Sequence, residues 1–281
     1  MNITNRHNLP APLVAAVAND DYHHNSDISV TGLISPPQIR MLRKQYSAQL
    51  SEDVSDRIWV LLGQAVHTIL ERANVDGAAE ERLSVEIAGW SVSGKGDLWH
   101  DQGTLSDYKV TSVWSYLIGD RWEWQAQLNL YAYLFVKHGM PVEKLQNVLI
   151  LRDWQASKAV ESDYPKASVA VLPQRLWTLA DAESYLETRV RLHQSAAEGD
   201  CPPCTDQERW AKPEKWVVRK AGQKAAVKWC DREEEARELA EKYRSMSVEH
   251  YPAVARRCQQ YCEVAPFCPQ GREFYEKGKQ R

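Results

Sequence analysis

Between Ser93 and Val110 the chain reads SGKGDLWHDQGTLSDYKV, and this stretch constrains the fold more than any other. Its composition predicts two short strands joined by a polar turn at His100–Gly103. The first strand reaches Asp97 just after Gly94 and Gly96, and the second carries Asp107, Tyr108 and Lys109. Side chains alternate faces along an extended chain, so Asp107 and Lys109 share a face and Tyr108 takes the other. If the strands pair across the turn, Asp97 comes near Asp107. Two carboxylates and an ammonium then converge on one spot. That donor set suits a divalent cation with a lysine beside it, equipment for hydrolysing a phosphodiester.

The rest of the chain supplies enough material to bury such a hairpin. Its 281 residues are 43% hydrophobic and 26% charged, ordinary for a globular protein of one large or two modest domains. No apolar run approaches the ~20 residues that span a bilayer, and the N-terminus lacks a basic start with a hydrophobic core. A cytoplasmic location without membrane contact is therefore expected. The net charge of −3 does not advertise a nucleic-acid binder. It is unevenly spread, however: residues 205–281 hold 17 Lys/Arg against 13 Asp/Glu, while the preceding residues hold 18 against 25.

In chain order, residues 1–30 read as loosely held, and Ser29–Gly32 as β-like. Pro36-Pro37 opens a helix through Leu50. Val54, Ile58, Leu61, Leu62, Ala65, Ile69 and Leu70 repeat at helical spacing. Ser51 to Ala73 is thus an expected amphipathic helix, capped by Ser51 or Ser55, with His67 one turn after Gly63. Gly77-Ala-Ala reads as a loop, and Leu83–Ile87 as a strand containing Glu86. After Val110, EWQAQLNLYAYLFVKHG predicts a strong helix stopped by Gly139, with Gln127 and Tyr131 on one face. Asn147–Trp154 and Ser168–Leu172 fit strands, and Thr178–Ala197 a long helix. Helices alternating with strands indicate a mixed α/β sheet. From Cys201 onward a turn-rich linker leads into a small ββα unit (about 214–245) and then a loop holding Cys258, Cys262 and Cys268. The expected division is residues 1–50, 51–200 and 201–281.

Four short motifs appear in order: GQAVH ending at His67, GKGD ending at Asp97, DYK at Asp107 and Lys109, and QLNLY at Gln127 and Tyr131. Together they resemble the PD-(D/E)XK nuclease superfamily, specifically its RecB-like branch, which includes CRISPR-associated and phage exonucleases. The resemblance implies a restriction-endonuclease-like mixed central sheet flanked by helices. It also implies Mg²⁺ or Mn²⁺ held by His67, Asp97, Asp107 and the Tyr108 carbonyl. Lys109 would act on the water or the phosphate, and Gln127 and Tyr131 would position the strand. Glu86 reads either as an auxiliary carboxylate or as a solvated strand residue.

Six cysteines, all from residue 201 onward, point to metal or redox chemistry rather than disulfides. Several members of the branch hold a 4Fe-4S cluster on four cysteines. Here Cys258, Cys262 and Cys268 offer three ligands, with Cys204 preferred over Cys201 as the fourth, zinc being the alternative. The pattern departs from the family's, in which one cysteine precedes the nuclease motifs. Cys230 reads as a buried thiol. The implied function is DNA cleavage, on single strands or ends, by an exonuclease of phage or prophage recombination working with recombination partner proteins. The competing expectation is a non-cleaving accessory protein of the same fold.

Overall fold

The computed structural model describes residues 2–19, 25–73, 77–100, 103–119, 121–243 and 245–279, excluding the side chains of residues 78–80. The chain divides into two units, Met1–Arg40 with Ser51–Cys201, and Met41–Leu50 with Pro202–Arg281. The first contains β1 (Asn2–Thr4), α1 (Ala11–Ala18), β2 (Ile28–Ser29), α2 (Val30–Ile34) and the start of α3 (Pro37–Gln45). It continues with β3 (Ser51–Asp53), α4 (Val54–Glu71), β4 (Ala78–Ile87), β5 (Trp90–His100), β6 (Thr104–Thr111) and α5 (Val113–Ile118). It ends with α6 (Trp122–Lys137), β7 (Lys144–Leu151), β8 (Val169–Gln174) and α7 (Leu179–Ala197). No described helix is long and apolar enough to cross a membrane.

The first unit is a mixed α/β fold with a central mixed sheet flanked by helices. Long β5 organises the sheet. Strand β4 runs antiparallel along it, β2 pairs in parallel at Val92–Ser93, and β6 pairs antiparallel only from Leu98 to His100. Strand β6 then pairs in parallel with β7, which pairs antiparallel with β8. Helix α6 lies against this sheet and contributes Leu128, Leu130, Tyr131, Leu134 and Phe135 to the core. The close approach depends on two glycines. A Cβ on Gly94 would come within 2.7 Å of Tyr131 and Leu134, and one on Gly96 within 2.7 Å of Phe135. Gly139, at φ 82°, ends α6 as its sequence predicts.

Beside α6 in the same core, α7 secures α2. Arg189 donates to the carbonyls of Leu33, Ile34 and Ser35, groups that a helix C-terminus leaves unpaired. One turn on, His193 Nε2 lies 3.1 Å from the Leu33 carbonyl. Burial pushes the His193 imidazole down to about 4, against the pull of that carbonyl and with help from Arg189 and Arg40.

Several local expectations are corrected. Within the N-terminal stretch, Asn2–Thr4 form β1, which pairs in parallel with β3, and Ala11–Ala18 form α1. The cap of α4 is Asp53, not Ser51 or Ser55, and the helix starts at Val54. The carboxylate of Asp53 accepts from Ser55 N and Oγ, Thr4 Oγ1 and Arg6 N, several donors that one serine hydroxyl could not serve together. Hydrogen bonding, from the Arg6 backbone above all, holds its carboxyl well below the usual range. The apolar stripe of α4 is only partly covered: Val54 is buried, Ile58, Leu61 and Leu70 are half-buried, and Leu62, Ala65 and Ile69 are exposed. Strand β4 begins at Ala78, where a loop is expected from the small residues. Of the turn at His100–Gly103, Asp101 and Gln102 lie outside the described residues.

The second unit holds α8 (Asp206–Arg209), β9 (Ala211–Lys212), β10 (Lys215–Lys220), β11 (Ala226–Cys230) and α9 (Glu233–Lys242). It ends with β12 (Met246–Tyr251), β13 (Val254–Ala255), α10 (Arg256–Gln260) and α11 (Arg272–Lys279). The expected ββα insert has a third strand: β12 pairs antiparallel with β10, giving the order β11-β10-β12. Its hydrophobic signal is diluted by Glu249 and His250, so periodicity alone does not report it. Cys230 is buried with Val218 and Ala236, as expected of a packed thiol. Within this unit, residues from the chain's beginning return: Tyr46 stacks on Phe267 at 4.5 Å, and Arg43 pairs with Glu263.

Candidate active site

The antiparallel pairing of β5 with β6 stops at Leu98–Ser106, one residue short of Asp97 and Asp107. Where the ladder would continue, the Asp97 side chain substitutes for backbone, and its Oδ2 accepts from Tyr108 N at 2.7 Å. This pins a carboxylate at the point where the two strands part. His67, on α4, places Nδ1 3.4 Å from Asp97 Oδ1, and its ring meets Tyr108 edge-on at 6.4 Å.

On β6, Lys109 Nζ lies 2.7 Å from Asp107 Oδ2 and 3.0 Å from Oδ1. It also donates to Gln127 Oε1 at 2.9 Å. Gln127 Nε2 in turn donates to the Tyr131 hydroxyl at 2.9 Å. The amide orientation is thereby set, with the oxygen turned to the ammonium and the nitrogen to the hydroxyl. Tyr131 is only 5% exposed and its ring fills the space above Gly94. It therefore serves as a buried anchor for Gln127, whereas the motif alone suggests a residue that meets the substrate strand.

Asp107 is 2% exposed. Burial drives its carboxyl upward and the Asp97 charge adds to this, while Lys109 and Asn147 oppose it. Asn147 is legible in the sequence only as the start of a strand. The parallel register of β6 with β7 sets it opposite Asp107, and its Nδ2 donates to Asp107 Oδ2 at 3.0 Å. Its buried Oδ1 has no hydrogen-bond partner among the described residues. No short motif could have found Asn147, because strand pairing brings it to Asp107.

Glu86 is excluded from this site. It pairs with Ser91, six residues from Asp97 along β5, which corresponds to roughly 20 Å of strand. Of the two readings left open for it, the solvated strand residue stands.

Among the described residues, no three His, Cys, Asp or Glu side chains are gathered tightly enough to hold an ion as they stand. The donor types nevertheless fit a hard divalent cation. His67 meets Asp97, and burial first, then the Asp97 charge, raises the Asp107 carboxyl in a way that added positive charge would relieve. At present the Lys109 ammonium offsets that carboxylate.

Cys204, Cys258, Cys262 and Cys268 all lie within the second unit. The Cys204 thiol is pushed up to about 12, mostly by burial, then by Glu208 and by Cys268, Cys262 and Cys258. Cys262 is pushed up to about 11 by burial, with smaller pushes from Glu263 and Cys258. Burial also raises Cys258, and Arg209 and Arg257 oppose this. Cys204 thus feels the charges of Cys258, Cys262 and Cys268, although among the described residues no three cysteines are gathered tightly enough to hold an ion as they stand. Cys201 belongs to the first unit. Four soft sulfur donors fit iron–sulfur or zinc in type.

No protein-family model matches the chain, and no curated protein matches it. Seven solved chains do. SSO0001 aligns at 17% identity and a TM-score of 0.45, over 64% of this chain and 84% of its own. A provisionally assigned exonuclease from Eubacterium rectale aligns at 12% identity and a TM-score of 0.34, over 50% of this chain and 54% of its own. At these distances neither likeness assigns an activity.

Proposed function

We propose that the chain is a divalent-metal-dependent deoxyribonuclease of the RecB-like branch of the PD-(D/E)XK superfamily, acting as an exonuclease on single strands or ends. One observation carries the reading: His67, Asp97, Asp107, Lys109, Gln127 and Tyr131 belong to one continuous constellation where β5 and β6 part.

In this reading His67, Asp97, Asp107 and the Tyr108 carbonyl hold Mg²⁺ or Mn²⁺. When bound, the cation supplies an acidified water and neutralises charge on the scissile phosphate. The remaining work falls to the chain itself. The Lys109 ammonium has three N–H donors; Asp107 and Gln127 fix its position and leave donor capacity for the attacking water or a phosphate oxygen. Gln127 and Tyr131 are positioning residues that keep the ammonium from swinging away. Asn147 shares the Asp107 carboxylate and orients it. Hydrolysis adds a water oxygen to phosphorus and releases the leaving oxygen, which takes up a proton.

The same proposal assigns Cys204, Cys258, Cys262 and Cys268 to a 4Fe-4S cluster, with zinc as the alternative. The cationic side chains of Arg209 and Arg257 near Cys258 suit an anionic thiolate centre. The substrate is DNA, and recombination proteins of phage or prophage origin are the proposed partners.

The test is incubation of anaerobically purified protein with end-labelled single- and double-stranded DNA in Mg²⁺, Mn²⁺ or EDTA. Cleavage is expected with either metal and absent in EDTA. Lys109→Ala is expected to lower the rate on the order of 10²–10⁴-fold, the range for loss of a positioned proton-handling group. No cleavage by the native protein with either metal, or an undiminished Lys109→Ala rate, overturns the proposal. Iron, sulfide and zinc content of the same sample identifies the cysteine centre.

A further inference from the structure

The Lys215–Tyr251 module is polarised in charge. Its hairpin, Lys215 to Cys230, carries five Lys/Arg and no acidic residue, whereas α9 carries five Glu against Arg237 and Lys242. Helix α9 covers the sheet face built from Val218, Cys230, Met246 and Val248. Strand register then sets Val217, Trp229 and Glu249 side by side on the opposite face, with Lys215 and Tyr251 as the adjoining pair.

That opposite face is tiled by aromatic rings. Trp229 is 53% exposed, and its ring lies 5.2 Å from that of Tyr251 at an interplanar angle of 57°. Arg219 braces the arrangement, donating to the Tyr251 hydroxyl at 2.9 Å and to Glu249 Oε2 at 2.8 Å. Lys220 and Lys224 are exposed at the hairpin-turn end of the sheet, where Lys220 pairs with Met246 at the edge of the α9-covered face and Lys224 lies in the turn itself. Lys215 pairs with Asp231 and Arg219 with Glu249, so these two cations also hold the platform together.

An apolar protein partner would cover the indole but gain nothing from the lysines. An acidic peptide would use the lysines and leave the indole without a flat partner. A single-stranded nucleic acid uses both, stacking a base on the ring and running its phosphates past the cations. We propose that the outer face of the β11-β10-β12 sheet binds single-stranded nucleic acid, with Trp229 as the stacking residue and the cations at the hairpin-turn end of the sheet, Lys220 and Lys224, pairing with phosphates that run past that end. This is a second binding surface, outside the constellation around Lys109, and it does not require that constellation to cleave.

The test uses the full chain in EDTA with a fluorescein-labelled thymidine oligonucleotide and reads anisotropy over a salt series. Trp229→Ala is expected to weaken binding about tenfold, the loss of one stacked base, while Trp229→Phe retains most of it. Exchanging Lys220 and Lys224 together for glutamate is expected to flatten the slope of log affinity on log salt by at least about 1.4, at ~0.7 for each phosphate no longer neutralised. In parallel, an oligonucleotide carrying 5-iododeoxyuridine is irradiated, and the expected crosslinked peptide contains Trp229. Affinities within twofold of native for both variants, no crosslink within residues 215–251, or no binding of any oligonucleotide overturns the proposal; a protein partner would then be the occupant. Cleavage in Mg²⁺ is scored separately. Cleavage without binding at this face sinks only the second surface, and binding here without cleavage sinks only the nuclease.

Discussion

Replacing Gly94 with alanine tests whether the sheet, the helix and the candidate site form one mechanical unit. The added Cβ would sit 2.7 Å from Tyr131 Cδ1 and Leu134 Cδ1, whereas ordinary contact begins at 3.4 Å. At least about 0.7 Å must therefore be found. Leu134 can yield by turning its terminal methyl. The Tyr131 ring cannot yield as easily, being buried and tied through its hydroxyl to Gln127. Overpacking of this kind costs about 1–3 kcal/mol. Alanine in place of a strand glycine returns about 0.5–1 kcal/mol of backbone entropy. The net expectation is a loss of about 1–2 kcal/mol, read as a fall in Tm of roughly 2–8 °C. Because Tyr131 holds Gln127 and Gln127 holds Lys109, cleavage measured well below the melting transition is expected to fall at least tenfold. A Gly94→Ala protein that melts at or above the native temperature and cleaves DNA normally would refute the reasoning.

Three further outcomes follow from the geometry. Gly63→Ala is expected to have the opposite sign: a Cβ there meets nothing within 4 Å, so helix propensity alone should stabilise α4 by about 1 kcal/mol in urea unfolding. Native stability is expected to be fully present above about pH 6.5 with respect to His193 and to fall toward pH 4, because the unfolded chain takes up a proton that the buried imidazole refuses. The shift sets a ceiling of about 3 kcal/mol for that loss, and His193→Gln should remove this part of the pH slope in paired chemical denaturation series. Cys262→Ser is expected to deplete bound iron or zinc, whereas Cys230→Ala should keep full metal content and cost only about 1 kcal/mol of stability.

Much of this architecture is local and therefore legible in the chain. Helix α6 and its stop at Gly139, helix α7 behind its Thr178 cap, and the alternation through β5 and β6 all follow from near neighbours in sequence. The α4 cap escapes such a reading because Asp53 competes with two serines, and the winner is decided by Thr4 and Arg6, about fifty residues away. Strand β12 escapes it because a half-exposed strand with a charged residue and a histidine has little apolar signal until β10 lies beside it.

For the candidate site, the sequence by itself determined which groups exist and which face of its strand each occupies: Asp97 at a glycine-flanked strand end, Asp107 and Lys109 alternating around Tyr108, Gln127 and Tyr131 one helical turn apart. Only tertiary structure decided which of them touch. The early end of the β5–β6 ladder turned Asp97 onto the Tyr108 amide, and the register of β7 delivered Asn147 to Asp107. The pairing of β4 carried Glu86 away. Helical and strand periodicity are properties of the local backbone, whereas register between distant strands is chosen by the packing of the whole sheet.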